Sequence, residues 1–299
     1  MSNAWQYSTL KTISRMVCLL PYSWVLSIGS GMGKLYYRVA GRQRKRAVSQ
    51  IQDCLGLSAD QAEETIGRLF RKLGQTFLEV LYIPALTPEK MQQYVTIENR
   101  HYLDDALHQG RGVVLLAAHI GNWEWLGASL AMAGFPVASV IKRQPNDEHT
   151  RILNEYREMA GIQIFARGTS ELISAARALK QGKMLGLLSD QDAGPAGIFI
   201  DFLGKISSTP TGPAVFAKKF KCPVVPVFIV RNPEGGHRVM VHEPLYYEDT
   251  GKGDEDMYHF TKKTTHIIEE TIRQYPDEWL WFQKRWNTSP TQERIGEQA

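Results

Sequence analysis

Residues 113–118, Val-Val-Leu-Leu-Ala-Ala, form an unbroken apolar run. It stops on His119, turns through Ile120-Gly121-Asn122 and passes at once into an apolar, helix-compatible stretch beginning at Trp123. A strand reads this way when helices cover both faces of its sheet and no position is left for water. The same alternation recurs downstream. Strands are expected at 113–118, 137–141, 162–165, 184–188, 224–230 and 238–241, and helices at 123–133, 150–160, 170–181, 212–219 and 257–274. Strand and helix in turn predict an α/β fold: a mixed, largely parallel sheet with helices on both faces. Pro223 and Pro226 place the strand that holds them near an edge or against a cavity, because proline cannot donate to a ladder.

The first ninety residues read differently. From Ser58 to Tyr82 the apolar positions Ala62, Ile66, Leu69, Phe70, Leu73, Phe77 and Leu81 form one helical stripe, with Ser58 as N-cap and Gln61 three residues on. Upstream, residues 13–39 are apolar but broken by Pro21 and by Gly29, Gly31 and Gly33, too diluted for a bilayer span. They predict an amphipathic or shallowly inserted helix, with Tyr22, Trp24, Tyr36 and Tyr37 at headgroup depth and the basic cluster Arg42-Gln43-Arg44-Lys45-Arg46 beside it. The alternative is a helical hairpin packed on the core. Gly29-Ser30-Gly31-Met32-Gly33-Lys34 imitates a phosphate loop but lacks its spacing and a preceding strand; Gly29 and Gly33, four apart, fit close helix packing instead. The expected organisation is a helical, membrane-associating arm over 1–90, an α/β core over 91–290 and a tail over 291–299.

With 43% hydrophobic and 22% charged residues the chain is an ordinary folded protein, not a disordered one. Its three scattered cysteines encode neither a disulfide framework nor a zinc site. The basic cluster adjoins apolar sequence without any nucleic-acid-binding motif, so an anionic membrane surface is the expected partner and nucleic acid is not.

The chemistry gathers at strand ends, where open α/β sheets bind ligands. His119 would lie in the turn after its strand and Glu124 in the first turn of the following helix, the one arrangement in which residues five apart meet. Glu124 would then accept the Nδ1 proton of His119 and leave Nε2 to take a proton from a hydroxyl. The bland alternative is a structural histidine satisfied beside an apolar strand. Lys142 and Arg143, with Asn146, follow the second strand and form a candidate anion clamp. Asp190 follows the strand at 184–188 and is expected to orient Arg143 or an acceptor hydroxyl. Asp190-x-Asp192 has no third carboxylate to support a metal. Ser129 falls inside a helix and is no nucleophile elbow.

Five blocks in order, Ala118-His119-Ile120-Gly121-Asn122-Trp123-Glu124, Lys142-Arg143 with Asn146, Asp190-Gln191-Asp192 with Gly194-Pro195, Phe202-Leu203-Gly204, and Pro276 to Trp281 with Lys284-Arg285-Trp286, resemble the bacterial lipid A biosynthesis acyltransferases of the lysophospholipid acyltransferase superfamily and their His-x4-Asp/Glu motif. The resemblance covers nearly the whole chain. It implies transfer of a fatty acyl chain from acyl carrier protein, or coenzyme A, to a hydroxyl of a membrane glycolipid at the cytoplasmic face of the bacterial inner membrane. No cofactor beyond that thioester is implied. By this likeness His119 is the general base and Glu124 its orienting acid, and Arg143, Asp190, Lys142 and Asn122 are substrate-binding candidates. The tetrahedral oxyanion needs donors, for which the amides of Gly121 and Asn122 at the helix start, or the Arg143 side chain, are the candidates. A lipid A precursor is the expected acceptor, with a phosphatidylinositol mannoside or lysophospholipid, or a thioesterase reaction, as alternatives. Ser289 stands where the family pattern Arg-Arg-x-x-x-Arg-Pro has its third arginine.

Overall fold

A computed structural model describes residues 4–141, 148–166 and 171–290. Four helices come first: α1 (Ala4–Cys18), α2 (Tyr22–Val39), α3 (Gly41–Leu55) and α4 (Ala59–Tyr82). Then follow α5 (Pro88–Tyr94), β1 (Val95–Glu98), α6 (His101–His108), β2 (Val113–Ala117), α7 (Trp123–Met132), β3 (Val137–Ile141), α8 (Glu148–Met159) and β4 (Gln163–Ala166). The chain continues through α9 (Glu171–Lys180), β5 (Met184–Leu188), β6 (Ile198–Phe202), β7 (Lys205–Thr209), α10 (Gly212–Phe220), β8 (Val224–Arg231), β9 (His237–Val241) and α11 (Asp254–Gln274).

Seven strands make one sheet in the order β1-β9-β8-β2-β5-β3-β4. β8, β2, β5, β3 and β4 are parallel, and β9 pairs antiparallel to β8 and parallel to β1. β2, β5, β8 and β9 each feed two cores. Along β2, Val113, Leu115 and Ala117 enter one, with Trp125 of α7 and Tyr156 of α8; Val114 and Leu116 enter the other, with Leu179 of α9, Phe216 of α10 and Ile268 of α11. The period of two, buried on both sides, gives the unbroken apolar run. The expected mostly parallel, helix-covered sheet is what forms.

Three details depart from expectation. Pro226 lies in an inner strand, not at an edge. Its position opposite Leu116 is the last in the β2–β8 register, so no further donor is needed there, and its carbonyl accepts from His242. The edge strand β1 and the β6–β7 hairpin were not foreseen. The hairpin turns through Leu203 and Gly204 at φ 55° and 84°, an αL pair for which leucine is an unusual first residue. Leu203 is held there by burial of its side chain and by its amide donating to Glu269.

The N-terminal helices pack against this core. α4 opens with the expected capping box, Gln61 N–H donating to Ser58 Oγ and Ser58 N–H to Gln61 Oε1. At 24 residues it runs about 36 Å. Its first half, with Ile66 and Phe70, belongs to one core and its second, with Leu78 and Leu81, to the other. The apolar segment 13–39 breaks at Pro21 into two helices, and among the described residues no helix is long and apolar enough to cross a membrane. Tyr22 corrects the aromatic-belt expectation. It is stacked on Trp125 and donates to the buried Glu79 at 2.6 Å, so it faces the interior.

α2 meets α4 backbone to backbone. A Cβ on Gly29 would stand 2.7 Å from Gln75 Cα, one on Gly33 would fall on the Phe70 carbonyl, and one on Gly74 would come 2.6 Å from the Gly33 nitrogen. Glycines on both helices are what permit the contact. Gly31, two residues from each and so on the opposite face of α2, meets nothing. Gly33→Ala should therefore lower unfolding stability in urea by about 2–4 kcal/mol, as strained packing does. Gly31→Ala should leave it unchanged or raise it by about 0.5–1 kcal/mol from helix propensity. Equal effects at the two positions would refute the interlock.

Candidate active site

His119 lies two residues beyond the end of β2, in a bend that only glycine can complete. Gly121 has φ 61°, and a side chain there would collide with the Ile229 carbonyl of β8. Asp190 lies two residues beyond β5. The β2–β5 register pairs Ala117 with Leu188, and extending it two residues sets His119 beside Asp190. The carboxylate takes the histidine twice: Asp190 Oδ2 accepts from the His119 backbone N–H at 3.0 Å, and Oδ1 lies 2.8 Å from Nδ1. Trp279 Nε1 donates to the same carboxylate at 2.8 Å and Gln283 Nε2 at 3.2 Å.

Here the sequence expectation is corrected. Glu124 does not accept from His119. It forms a two-pronged ion pair with Arg157 of α8, Nη2–Oε1 2.6 Å and Nε–Oε2 2.7 Å, which occupies both oxygens. Asp190 does not face an acceptor hydroxyl either, since it is fully enclosed and its oxygens serve His119, Trp279 and Gln283. Asn122 is not a substrate ligand: it is buried, caps α7 through Oδ1 to Trp125 N–H, and donates Nδ2 to Glu79 at 2.8 Å. The Gly121 amide, an expected oxyanion donor, is committed to the Glu278 carbonyl at 2.9 Å. Lys142, Arg143 and Asn146 lie outside the described residues.

Sequence reasoning missed four supports. Trp279 and Gln283 belong to a strap after α11 that closes over the His119 bend, with Leu280 N–H donating to the His119 carbonyl and Ile120 bridging to Trp279. Arg157 gives no signal in its helix beyond an ordinary charged position. Glu79, deep in α4, receives Arg231 at 2.6 and 2.8 Å, His237 at 3.0 Å, Tyr22 and Asn122. A glutamate on an apolar helical stripe was the one available hint, because a buried charge requires partners.

Burial alone would pull the His119 imidazole toward neutrality, but the charge and hydrogen bond of Asp190, with a further contribution from Glu124, outweigh it and raise its pKa above the usual 6.5. Burial likewise opposes ionisation of Asp190. The charge and hydrogen bonds of His119 and the Trp279 donor prevail and hold it down at about 2. The imidazole side chain keeps 14% of its surface exposed, so the ring is not sealed in.

Trp123 stands edge-on to His119 at 4.9 Å. With Glu124 it forms one wall of an apolar cavity of about 560 Å³ between α1, α2, α4, α7 and α8, sized for a small lipid-like ligand. A carboxylate-held histidine at a parallel strand's end, beside an apolar cavity, defines the class of site. The chain matches the family model described as bacterial lipid A biosynthesis acyltransferase over residues 2–288; it belongs to that family and is an acyltransferase. It is 25% identical over 242 residues to a phosphatidylinositol mannoside acyltransferase of Mycolicibacterium smegmatis, covering 79% of this chain and 77% of that protein. It is 24% identical over 248 residues to a lipid A biosynthesis acyltransferase of Haemophilus influenzae (81% and 75% covered), and 22% identical over 279 residues to the lipid A biosynthesis lauroyltransferase of Escherichia coli (92% and 89% covered).

The pKa directions set a pH window. Asp190, depressed, contributes stability above its ordinary 3.8 that is lost as pH falls through about 2. His119, raised, contributes stability below 6.5 that is lost as pH rises through its folded value. Urea unfolding of wild type and Asp190→Asn should therefore differ most between pH 3.8 and 6.5, converge as pH falls through about 2, and narrow only in part as pH rises through the folded His119 value, where the Asp190 contribution remains. In the variant the His119 titration, followed by NMR, should move down. A gap that widens toward pH 2 would overturn the assignment.

Proposed function

We propose that this acyltransferase moves a fatty acyl chain from an acyl thioester, on acyl carrier protein or coenzyme A, to a hydroxyl of a membrane glycolipid, with His119 as general base and Asp190 as the residue that orients it. The observation that carries the reading is the 2.8 Å contact of His119 Nδ1 with a buried, ionised Asp190, next to an apolar cavity. Asp190 fixes the tautomer with Nδ1–H, which leaves Nε2 as the base. Nε2 removes the hydroxyl proton as the oxygen bonds to the thioester carbonyl carbon. The tetrahedral oxyanion then reforms the carbonyl, the C–S bond breaks, and the imidazolium returns the proton to the leaving thiolate. The first-turn amides of Trp123 and Glu124 in α7 have no acceptor within the helix, which supports them as the donors to the oxyanion. Glu124, neutralised by Arg157, supports the helix start and adds to the field on His119.

A lipid A precursor is the proposed acceptor, supported by the family model and by the relatives from Haemophilus influenzae and Escherichia coli. The relative from Mycolicibacterium smegmatis favours a phosphatidylinositol mannoside as the second candidate. Work at the cytoplasmic face of the inner membrane is proposed with it, supported by Trp24, Leu35 and Val39 exposed on α2 and by the basic cluster opening α3.

His119→Ala should lower acyl transfer by about 10²–10⁴-fold, the range of a general base, with circular dichroism unchanged. Full activity in that variant removes His119 from the chemistry. Because only the neutral imidazole accepts a proton and its pKa is raised, kcat/KM should climb with pH along a limb centred above 6.5. Asp190→Asn should shift that limb down as well as lowering the rate. Assays with each acceptor, with product identified by mass spectrometry, decide between the two glycolipids.

A further inference from the structure

The cavity beside His119 has two ends of different character. Trp123 and Glu124 form the inner one, and Arg157 neutralises Glu124, so no unpaired charge opposes an apolar occupant. The walls are apolar side chains such as Leu10, Leu73, Val80 and Ile152. Met32, Tyr36 and Phe77 also line it, yet they are 42%, 40% and 48% exposed, so they form a mouth.

That mouth opens in an unusual surface. On α2, Trp24, Ile28, Met32, Leu35 and Val39 recur every three or four residues and all are exposed, making one apolar stripe alongside the glycine stripe buried on α4. Singly exposed apolar residues need no explanation, but a continuous row of five with a cavity mouth in it does. Lys34 and Arg38 flank the row, and eight lysines and arginines precede the first acidic residue of the chain, Asp53. An apolar stripe flanked by Lys34 and Arg38, with the one acid recorded against α2's outer face, Glu63, already bonded to Tyr37, matches an anionic bilayer surface, in which the chains are apolar and the headgroups negative. The glycine interlock of α2 on α4 keeps the stripe and the inner cavity in fixed relation.

We propose that the acyl chain of an anionic bilayer lipid enters this cavity sideways, through the mouth formed by Met32, Tyr36 and Phe77, and lies with its inner end at Trp123. The inference rests on the membrane-acceptor reading above and specifies the route: the lipid reaches His119 without leaving the bilayer, while the thioester arrives from water by another side.

p-Benzoylphenylalanine placed at position 32 or 77, and at Ile173 on α9 as an exposed apolar control, tests the route in the full-length protein with phosphatidylethanolamine–phosphatidylglycerol vesicles. Irradiation should yield covalent lipid adducts at 32 and 77, by intact mass, and none at 173. In a second arm Leu73→Trp, which fills the cavity, should suppress the adduct at 77 and raise KM for a vesicle-borne acceptor on the order of ten-fold. Vesicle binding should be unchanged. Equal adducts at 173, capture at 32 and 77 of the thioester's chain in place of vesicle lipid, or an unaltered KM in Leu73→Trp would overturn the proposal. Crosslinking needs no turnover. Adducts at 32 and 77 in a protein that transfers no acyl group would therefore reject the catalytic reading and keep the route.

Discussion

The carboxylate of Asp190, shut away from solvent, is satisfied by donors from separate stretches of chain: the backbone and ring of His119, the indole of Trp279 and the amide of Gln283. An unpaired charge in such a place costs several kcal/mol, so the end of β2, the end of β5 and the strap after α11 are obliged to converge there. The strap is fastened further along by the same means. Arg285, buried, donates to the Ser208 carbonyl and to Thr209 Oγ1 of β7, and Thr288 binds Asp192 through both its amide and its hydroxyl. Burial lowers the Arg285 pKa to about 10, and the nearby charges of Asp190, Asp192 and Glu269 limit the fall. The C-terminal block is thus the buckle of the site and not an appendage to it.

A second buried carboxylate, Glu79, does for α4 what Asp190 does for the strap. Its ion pair with Arg231 ties the helix to the end of β8, and its bond from Asn122 ties it to the start of α7. Burial opposes its charge, but His237 and Arg231 hold its pKa well below the ordinary carboxylate range. Through Asn122 the cap of α7 is fixed, and with it Trp123, which contacts both His119 and the apolar cavity. The glycine contact of α2 with α4 then brings the outer helical layer to that cavity. Two enclosed acids and one close helix pair therefore position the imidazole, the cavity wall and the cavity mouth.

Much of the fold was legible because strong periodicity survives without context. The strands at 137–141 and 184–188 were read to the residue and the helix at 59–82 nearly so, with its capping box. The short edge strand β1 and the β6–β7 hairpin were not, since a four-residue strand has too few positions to show a pattern and Leu203 is not a turn residue by type. In the site, His119 and Asp190 were both marked as strand-end polar groups, yet the wrong acid was paired with the histidine. Glu124 was favoured for nearness in sequence, whereas Arg157, thirty-three residues on, claims it. Trp279, Gln283 and Glu79 act from so far along the chain that no local pattern could assign them.

By itself the sequence determined the elements and their chemistry: a strand buried on both faces that must end on an imidazole, a glycine that must turn the chain after it, and glycine-spaced helices that can touch. Those follow from residue type and period, which are local properties. Only the tertiary structure decided which acid serves His119. β5 returns to lie between β2 and β3, and that crossover puts Asp190 in register with His119 although seventy-one residues separate them. Strand order is set by how whole layers bury their apolar faces, a global balance that no single segment carries.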